Sequence, residues 1–340
     1  MKVAKIPIGD AHWCEFVSSH PTAGPFHLPA WTSLIADCYH FDAFALVVRD
    51  SDGEILAGIP VVETRSLLGE RRWVSLPFSD ACPLLVRPDT AEADVLDPLI
   101  EYVLANRTRE LLVRSELAAG AYSHPVQVGY NHYIELPSDP RDLHVRKNHR
   151  NMRNRAHSAG MRVARSSSPD DLSTFYRLQT LTRRRLGVPV QPRRFFDLLG
   201  ERLLSRGHGF VATATLDGEA VSAAVYLSYK STLVSKYHAT GPTRSENGSS
   251  HLVDWEITSA ACSEGYHTLD LGRTDTGAEG LRLYKSGWGA IEIPLVYTHL
   301  SGHPTKSVSS SIGDLPKRII RSSPLWVCRA LGEALYRWTA

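Results

Sequence analysis

Apolar runs joined by Asp-Gly turns set the pattern of this chain. Residues 44–49 form one such run, Asp50-Ser51-Asp52-Gly53 turns the chain, and residues 55–64 return as a second run. Asp-Gly between alternating apolar runs predicts a β-hairpin. Ahead of it, residues 10–39 read as two short helices kept apart by Pro21, Gly24, Pro25 and Pro29. Behind it come a third strand at 73–76, a helix at 91–105, and strands near 111–115 and 132–136.

The same order then returns. Helical patterns cover 170–185 and 192–205, residues 210–216 form a strand, Asp217-Gly218 turns, and 220–229 runs back. A strand at 233–239, a helix at 249–264, a strand from His267 to Leu271 ending on Gly272, and a last strand at 291–297 complete the second copy. The stretches beginning at Ala45 and at Phe210 both read strand, Asp-Gly-Glu, strand at the same place in this order. The expected architecture is α/β (α+β), two similar units in tandem with mixed sheets flanked by helices. The expected bounds are 1–140 and 141–300, with 301–340 as a Ser/Pro-rich linker and a C-terminal helix.

A chain of 340 residues, 43% hydrophobic and 22% charged, has the material for two cores. Its net charge of +2 implies no polyanionic partner by itself. The five cysteines are scattered without C-x-x-C spacing, which points to a reducing compartment and away from zinc or disulfides. The N-terminal residues lack the apolar core of a signal peptide, and no window has the length and apolarity to span a bilayer. A cytoplasmic protein without metal or cofactor is expected.

Charge becomes informative only locally. Residues 143–159 are helical in pattern and carry Arg146, Lys147, Arg150, Arg153 and Arg155 with no acid after Asp142. A helix so lopsided repels itself unless it faces a polyanion or phosphate. Arg183, Arg184, Arg185, Arg193 and Arg194 flank the bend at 187–192. The C-terminal helical pattern gathers Leu325, Val327, Cys328, Leu331, Leu335 and Trp338 largely on one face, with Arg318, Arg321, Arg329 and Arg337 around it. It is expected to pack on the protein's own body, with weak membrane-surface contact as the alternative.

The densest chemistry lies at 269–290, where Arg273, Asp275 and Glu279 precede Tyr284, Lys285, Gly287, Trp288 and Gly289. Glycines allow close backbone approach, and a lysine between two aromatics is easily held in one pose. A lysine among glycines is also expected to lie outside the core. Gly280, Leu281, Tyr284, Lys285, Trp288 and Gly289 resemble, position by position, the late motif of the Fem-type aminoacyltransferases within the GNAT-fold acyltransferases. The basic stretch from Lys147 to Ala156, the run from Arg184 to Phe196, and Leu76-Pro77-Phe78-Ser79-Asp80 resemble further segments of that family. Two departures stand beside these: no long helical hairpin is inserted in the second unit, and Arg244-Ser245-Glu246-Asn247-Gly248-Ser249-Ser250 lacks the usual acyl-CoA pyrophosphate loop.

The resemblance implies amide-bond formation between an aminoacyl-tRNA and the amine of a cell-wall precursor or small metabolite. Lys285 would stabilise the oxyanion, Asp275 would hold it or accept the amine proton, and Tyr237 would lie where the sheet opens to the donor. Ser79, Asp80, Arg146, Lys147, Arg150, Arg193, Arg194, Arg273, Tyr284 and Trp288 are the expected substrate-binding residues, with the acceptor in a groove between the units. No Cys/His pair or G-x-S-x-G suggests an acyl-enzyme. An acyl-CoA-dependent N-acyltransferase is the alternative, and an inactive module that binds nucleic acid through the basic helix is a third reading.

Overall fold

The computed structural model describes residues 1–65, 69–106, 108–241, 248–302, 318 and 320–336. Along the chain run β1 (Lys2–Pro7), α1 (Ala11–Ser19), α2 (Pro29–Tyr39), β2 (Asp42–Arg49), β3 (Ile55–Arg65), β4 (Arg71–Val74), β5 (Leu85–Val86), α3 (Glu92–Ala105), β6 (Leu111–Val113) and β7 (Ser123–Glu135). Then follow α4 (Lys147–Ser158), β8 (Arg162–Ser166), α5 (Pro169–Leu186), α6 (Arg193–Arg202), β9 (Gly209–Leu216), β10 (Glu219–Tyr229), β11 (Thr232–Thr240) and α7 (Ser249–Ser263). β12 (Thr268–Thr274), α8 (Glu279–Ser286), β13 (Ile291–Leu300) and α9 (Leu325–Leu335) complete the series. The chain divides into two compact units, Met1–Gly129 with Pro294–Ser309 and Tyr336–Ala340, and Tyr130–Ile293 with Ser310–Leu335.

In the first unit the sheet runs β1-β2-β3-β4-β6-β13, antiparallel except for the β4/β6 pair, with β5 beside β3. The hairpin turn forms because Asp50 accepts the amides of Asp52 and Glu54 (both 2.9 Å) while Gly53 takes φ 90°. α3 buries Val95, Leu96, Leu99, Ile100 and Val103, the i, i+4, i+8 stripe that an amphipathic helix lays on a sheet. They meet Leu46, Ile59, Trp73, Leu111 and Leu300 in one core, each large side chain contributing about 1.5–3 kcal/mol by burial.

Two ionisable groups buried in this unit make it acid-sensitive. His27 accepts the Gly24 amide through Nδ1 and donates Nε2–H to the Pro83 carbonyl (both 3.0 Å). Burial pushes its pKa from 6.5 down to about 4. For Glu110 burial alone acts upward, but the hydrogen bond with His299 and the charge of Arg72 outweigh it and bring the carboxyl from 4.5 to about 2. Both values are depressed, so each contribution is complete above the unfolded pKa and disappears as pH falls through the folded one. The windows are pH 6.5 to 4 for His27 and 4.5 to 2 for Glu110, each worth about 3 kcal/mol. The urea midpoint is expected to fall steadily from neutral pH downward, and His27→Gln to flatten the upper window. A midpoint that does not move between pH 6.5 and 4 rules His27 out as the cause.

In the second unit the order is β7-β12-β11-β10-β9-β8, antiparallel except for the parallel β11/β12 pair. Strand alternation sends β10 and β11 side chains to two faces. Tyr237 meets Phe175 of α5 and Phe195 and Phe196 of α6 on one face. Tyr226 and Ala224 join Leu252, Val253 and Ile257 of α7 and Ala156 of α4 on the other.

The two helices at 10–39, both Asp-Gly hairpins, α3, α5, α7 and the succession of elements along the second unit follow the sequence expectation. β1, β5 and β8 were not foreseen, β7 starts well before residue 132, and β4 ends at Val74, with Leu76 and Phe78 at positive φ. The basic helix starts at Lys147, not at 143. Arg146 is extended (ψ 146°) because its amide is taken by the Gly287 carbonyl at 2.8 Å. β12 continues past Gly272 to Thr274, paired with β7 through a bulge between Asp270 and Gly272. α9 docks through Cys328 and Gly332: a Cβ at Gly332 would stand 1.7 Å from the Val190 carbonyl oxygen. Residues 244–247, most of the expected linker, Arg337 and Trp338 lie outside the described residues. No helix among the described residues is long and apolar enough to cross a membrane.

Candidate active site

The parallel strands of the second unit part early. β11 and β12 pair only over Thr232–Thr268, Leu233–Leu269 and Val234–Asp270. Just beyond, both strands are bulged. Val225 faces Tyr237 and Tyr226 faces Ser235, so Lys236 of β11 has no opposite number. On β12 the extra residue is Leu271, followed by Gly272 at φ 72°. A bulge bends its strand and sharpens the twist, which turns a short parallel ladder into an opening. Lys285 serves this parting. It is 6% exposed, and Nζ donates to the carbonyls of Gly272 (2.7 Å) and Arg273 (3.1 Å). The expectation that a lysine among glycines lies outside the core is therefore corrected, since the stem is buried to bring the ammonium to these carbonyls.

Beyond the parting, β11 presents His238 on the α7 side. Its side chain is 36% exposed, and Nε2 lies 2.5 Å from Ser235 Oγ and 3.6 Å from Asp254 Oδ1. Asp254 of α7 is buried at 7% and collects two phenols, Tyr226 on Oδ1 (3.2 Å) and Tyr284 on Oδ2 (2.5 Å). Burial, and then the Asp254 charge, raise both phenol pKa values well above 10, so each hydroxyl keeps its proton and donates. Ser235 also hydrogen-bonds the Tyr226 hydroxyl. The result is a chain of polar contacts, His238 to Ser235 to Tyr226 to Asp254, that runs from a half-open surface into the core. A ring whose Nε2–H points at Ser235 and Asp254 turns the lone pair of Nδ1 outward, the arrangement that suits a proton acceptor.

The glycines of the late motif allow the close approach expected of them. Gly287 lies against the His149 ring, where a Cβ would come within 2.2 Å, and Gly289, at φ 78°, lies on the His144 backbone. Trp288, 2% exposed, packs edge-on against His149 at 5.0 Å, and His149 Nε2 binds the Tyr284 carbonyl at 2.9 Å. Gly-Trp-Gly thus seats the start of α4 on the end of α8. On α4 the buried positions are His149 and Ala156, while Arg153 lies 4.3 Å over the Trp255 ring. Arg146, Lys147, Arg150 and Arg155 are exposed, and none forms an ion pair among the described residues.

The remaining expected residues separate. Tyr237 accepts a hydrogen bond from Gln191 (3.1 Å) within its aromatic cluster, on the face away from Asp254. Arg273 and Asp275 pair with each other at 2.8 Å on the surface. Arg193 is held by Asp197 and Ser173, and Arg194 is exposed. Ser79 is 1% exposed and accepts the Trp31 indole N–H at 2.9 Å within the first unit. The Asp80 carbonyl receives the Tyr297 hydroxyl at 2.7 Å. Among the described residues no group of His, Cys, Asp or Glu is arranged to hold a metal ion. Sequence reasoning missed His238, Asp254, Tyr226 and Ser235. One signal was present: Asp254 interrupts the apolar run Leu252, Val253, Ile257, and a carboxylate at a core position needs donors.

Residues 144–286 match the family model of the acetyltransferase (GNAT) domain. No curated protein matches the sequence. Among solved structures, FemX is similar with TM-score 0.68 and 16% identity over 89% of this chain and 98% of that one. The C-terminal domain of a putative lysylphosphatidylglycerol synthetase from Agrobacterium fabrum is similar at TM-score 0.53 and 14% identity, over 80% and 87% of the two chains. A tandem GNAT protein from the clavulanic acid biosynthesis pathway reaches TM-score 0.50 and 10% identity, over 90% and 99%. Residues 144–286 thus match an acetyltransferase (GNAT) domain, and the chain as a whole has the fold of these solved structures, a tandem GNAT protein among them.

Proposed function

We propose that the second unit transfers an aminoacyl group from aminoacyl-tRNA to the amine of a small metabolite or cell-wall precursor, with His238 as the general base. The observation that carries this is the exposed His238, backed by Ser235 and Asp254, on β11 just past its parting from β12. The amine nitrogen attacks the ester carbonyl and its proton passes to His238 Nδ1. The new C–N bond forms, the C–O bond to the ribose breaks, and that oxygen takes a proton as it leaves. Because the ester is already activated, alignment of the two reactants supplies most of what the reaction needs. Backbone amides of β11 past the parting would meet the oxyanion. Lys285 holds the β12 edge that faces them.

Two features favour an aminoacyl-tRNA donor. The exposed cations of α4 have no carboxylate partner among the described residues, which suits a phosphate backbone. The fold neighbours include FemX and a protein named for lysylphosphatidylglycerol synthesis. The GNAT match and the tandem GNAT neighbour favour acyl-CoA as the second reading. Transfer to an amine panel from charged tRNA and from acetyl-CoA, each with and without ribonuclease, separates the two. Ribonuclease-sensitive transfer is expected. In the same assay Arg146→Glu with Arg150→Glu should weaken tRNA binding and flatten its dependence on salt, by roughly one unit of slope per lost phosphate contact. An unchanged slope makes α4 a solvated face, and RNA binding without transfer to any amine leaves only a binding module.

A further inference from the structure

A second feature of the same unit lies beside the far end of β11. A cavity of about 350 Å³ is lined by Leu181, Arg184, Arg185 and Arg321. Arg185 is fixed there by Thr240 Oγ1 (2.6 Å) and the Gly241 carbonyl (3.5 Å), two and three residues beyond His238 along the chain. Arg184 comes from the last turn of α5, and Arg321 from the segment just before α9. Neither Arg184 nor Arg321 has a carboxylate partner among the described residues, and no acid lines the cavity among them.

Three guanidinium groups around one hollow repel one another unless an anion joins them. Their planar forks match phosphate oxygens two at a time, which a lysine cluster would not do. The position is informative as well. Strand residues advance about 3.3 Å each, so Thr240 and Gly241, which hold Arg185 in the cavity wall, follow His238 within roughly 10 Å along the chain, although the wall itself is built from α5 and Arg321. A donor whose acyl group lies at His238 would have its phosphate-bearing part within reach.

We infer that the Arg184–Arg185–Arg321 cavity is an anion site that anchors a phosphate group of the acyl donor. Naming the ligand as the donor rests on the acyl-transfer reading above; the anion site does not. Phosphate esters occur in both CoA and tRNA, and the site would serve either. Held at this end, the donor presents its acyl carbon to His238 by proximity alone.

The test uses the full chain and inorganic pyrophosphate, followed by calorimetry. Arg184→Ala with Arg321→Ala is expected to weaken pyrophosphate binding at least tenfold at an unchanged melting temperature, while Lys2→Glu, an exposed cation of the first unit, leaves it as in the wild type. Arg185 is kept, because it also ties down the end of β11. Binding by the wild type that the double variant retains, or no wild-type binding at millimolar pyrophosphate, overturns the site. Competition then identifies the source. Displacement by acetyl-CoA assigns the site to a thioester donor, and displacement by an acceptor-stem RNA hairpin assigns it to tRNA. Displacement by neither overturns the donor role. If pyrophosphate binds as expected but no donor supports transfer, the acyl-transfer reading fails and the anion site stands.

Discussion

His238→Gln is expected to lower kcat by about 10²–10⁴-fold, the range that loss of a positioned general base produces. The effect should fall on kcat and leave donor binding intact, because the ring stands past the parting of β11 and β12 and is 36% exposed. The melting temperature should hardly move for the same reason. Asp254→Asn is expected to act differently. It removes the charge that orients His238 and receives the Tyr226 and Tyr284 hydroxyls, so rate and stability fall together. Added imidazole should restore part of the rate in His238→Ala and none in Asp254→Asn. Wild-type turnover in His238→Gln would remove this histidine from the reaction.

Lys285→Met carries the second large effect. The thioether keeps most of the buried stem but leaves the Gly272 and Arg273 carbonyls without their donor. Each unsatisfied buried acceptor costs about 1–3 kcal/mol, so a loss of roughly 2–5 kcal/mol and a clearly lower melting temperature are expected. Activity measured well below that temperature isolates the chemistry. A further loss of about a hundredfold there assigns the ammonium to the oxyanion as well. Wild-type turnover in the folded variant confines Lys285 to holding β12, and an unchanged melting temperature excludes the structural role.

These two residues show what the sequence could and could not say. The hairpins were legible because Asp-Gly turns act locally, through a side-chain acceptor and a positive φ that neighbouring residues supply. β1 and β8 were not legible, since a short edge strand is defined by the partner that it pairs with. Lys285 was found for the right density of neighbours but given the wrong environment: its partners are carbonyls brought there by a bulge. Tyr237, the expected residue of β11, and its neighbour His238 fall on opposite faces by period-two alternation, and Asp254, the buried carboxylate, lies on the His238 face toward α7. The glycines of the Gly-Trp-Gly run allow the close approach expected of them, and what approaches is the start of α4, a partner distant in sequence that no local pattern names.

The discontinuous make-up of the first unit bears on how the protein is made. Its sheet is completed by β13, whose residues 298–300 pair with β6, and Leu300 is wholly buried in its core. On the ribosome those residues emerge only after the whole of Tyr130–Ile293 has been translated. The N-terminal unit therefore cannot close first, contrary to the usual order for chains built of successive domains. Until β13 arrives, β6 has an open edge and the hydrophobic face around Leu111 is uncovered, a state in which nascent chains are prone to mispair. Release of a chain truncated before residue 294 should accordingly leave the first unit aggregation-prone, and it also removes α9 from the second.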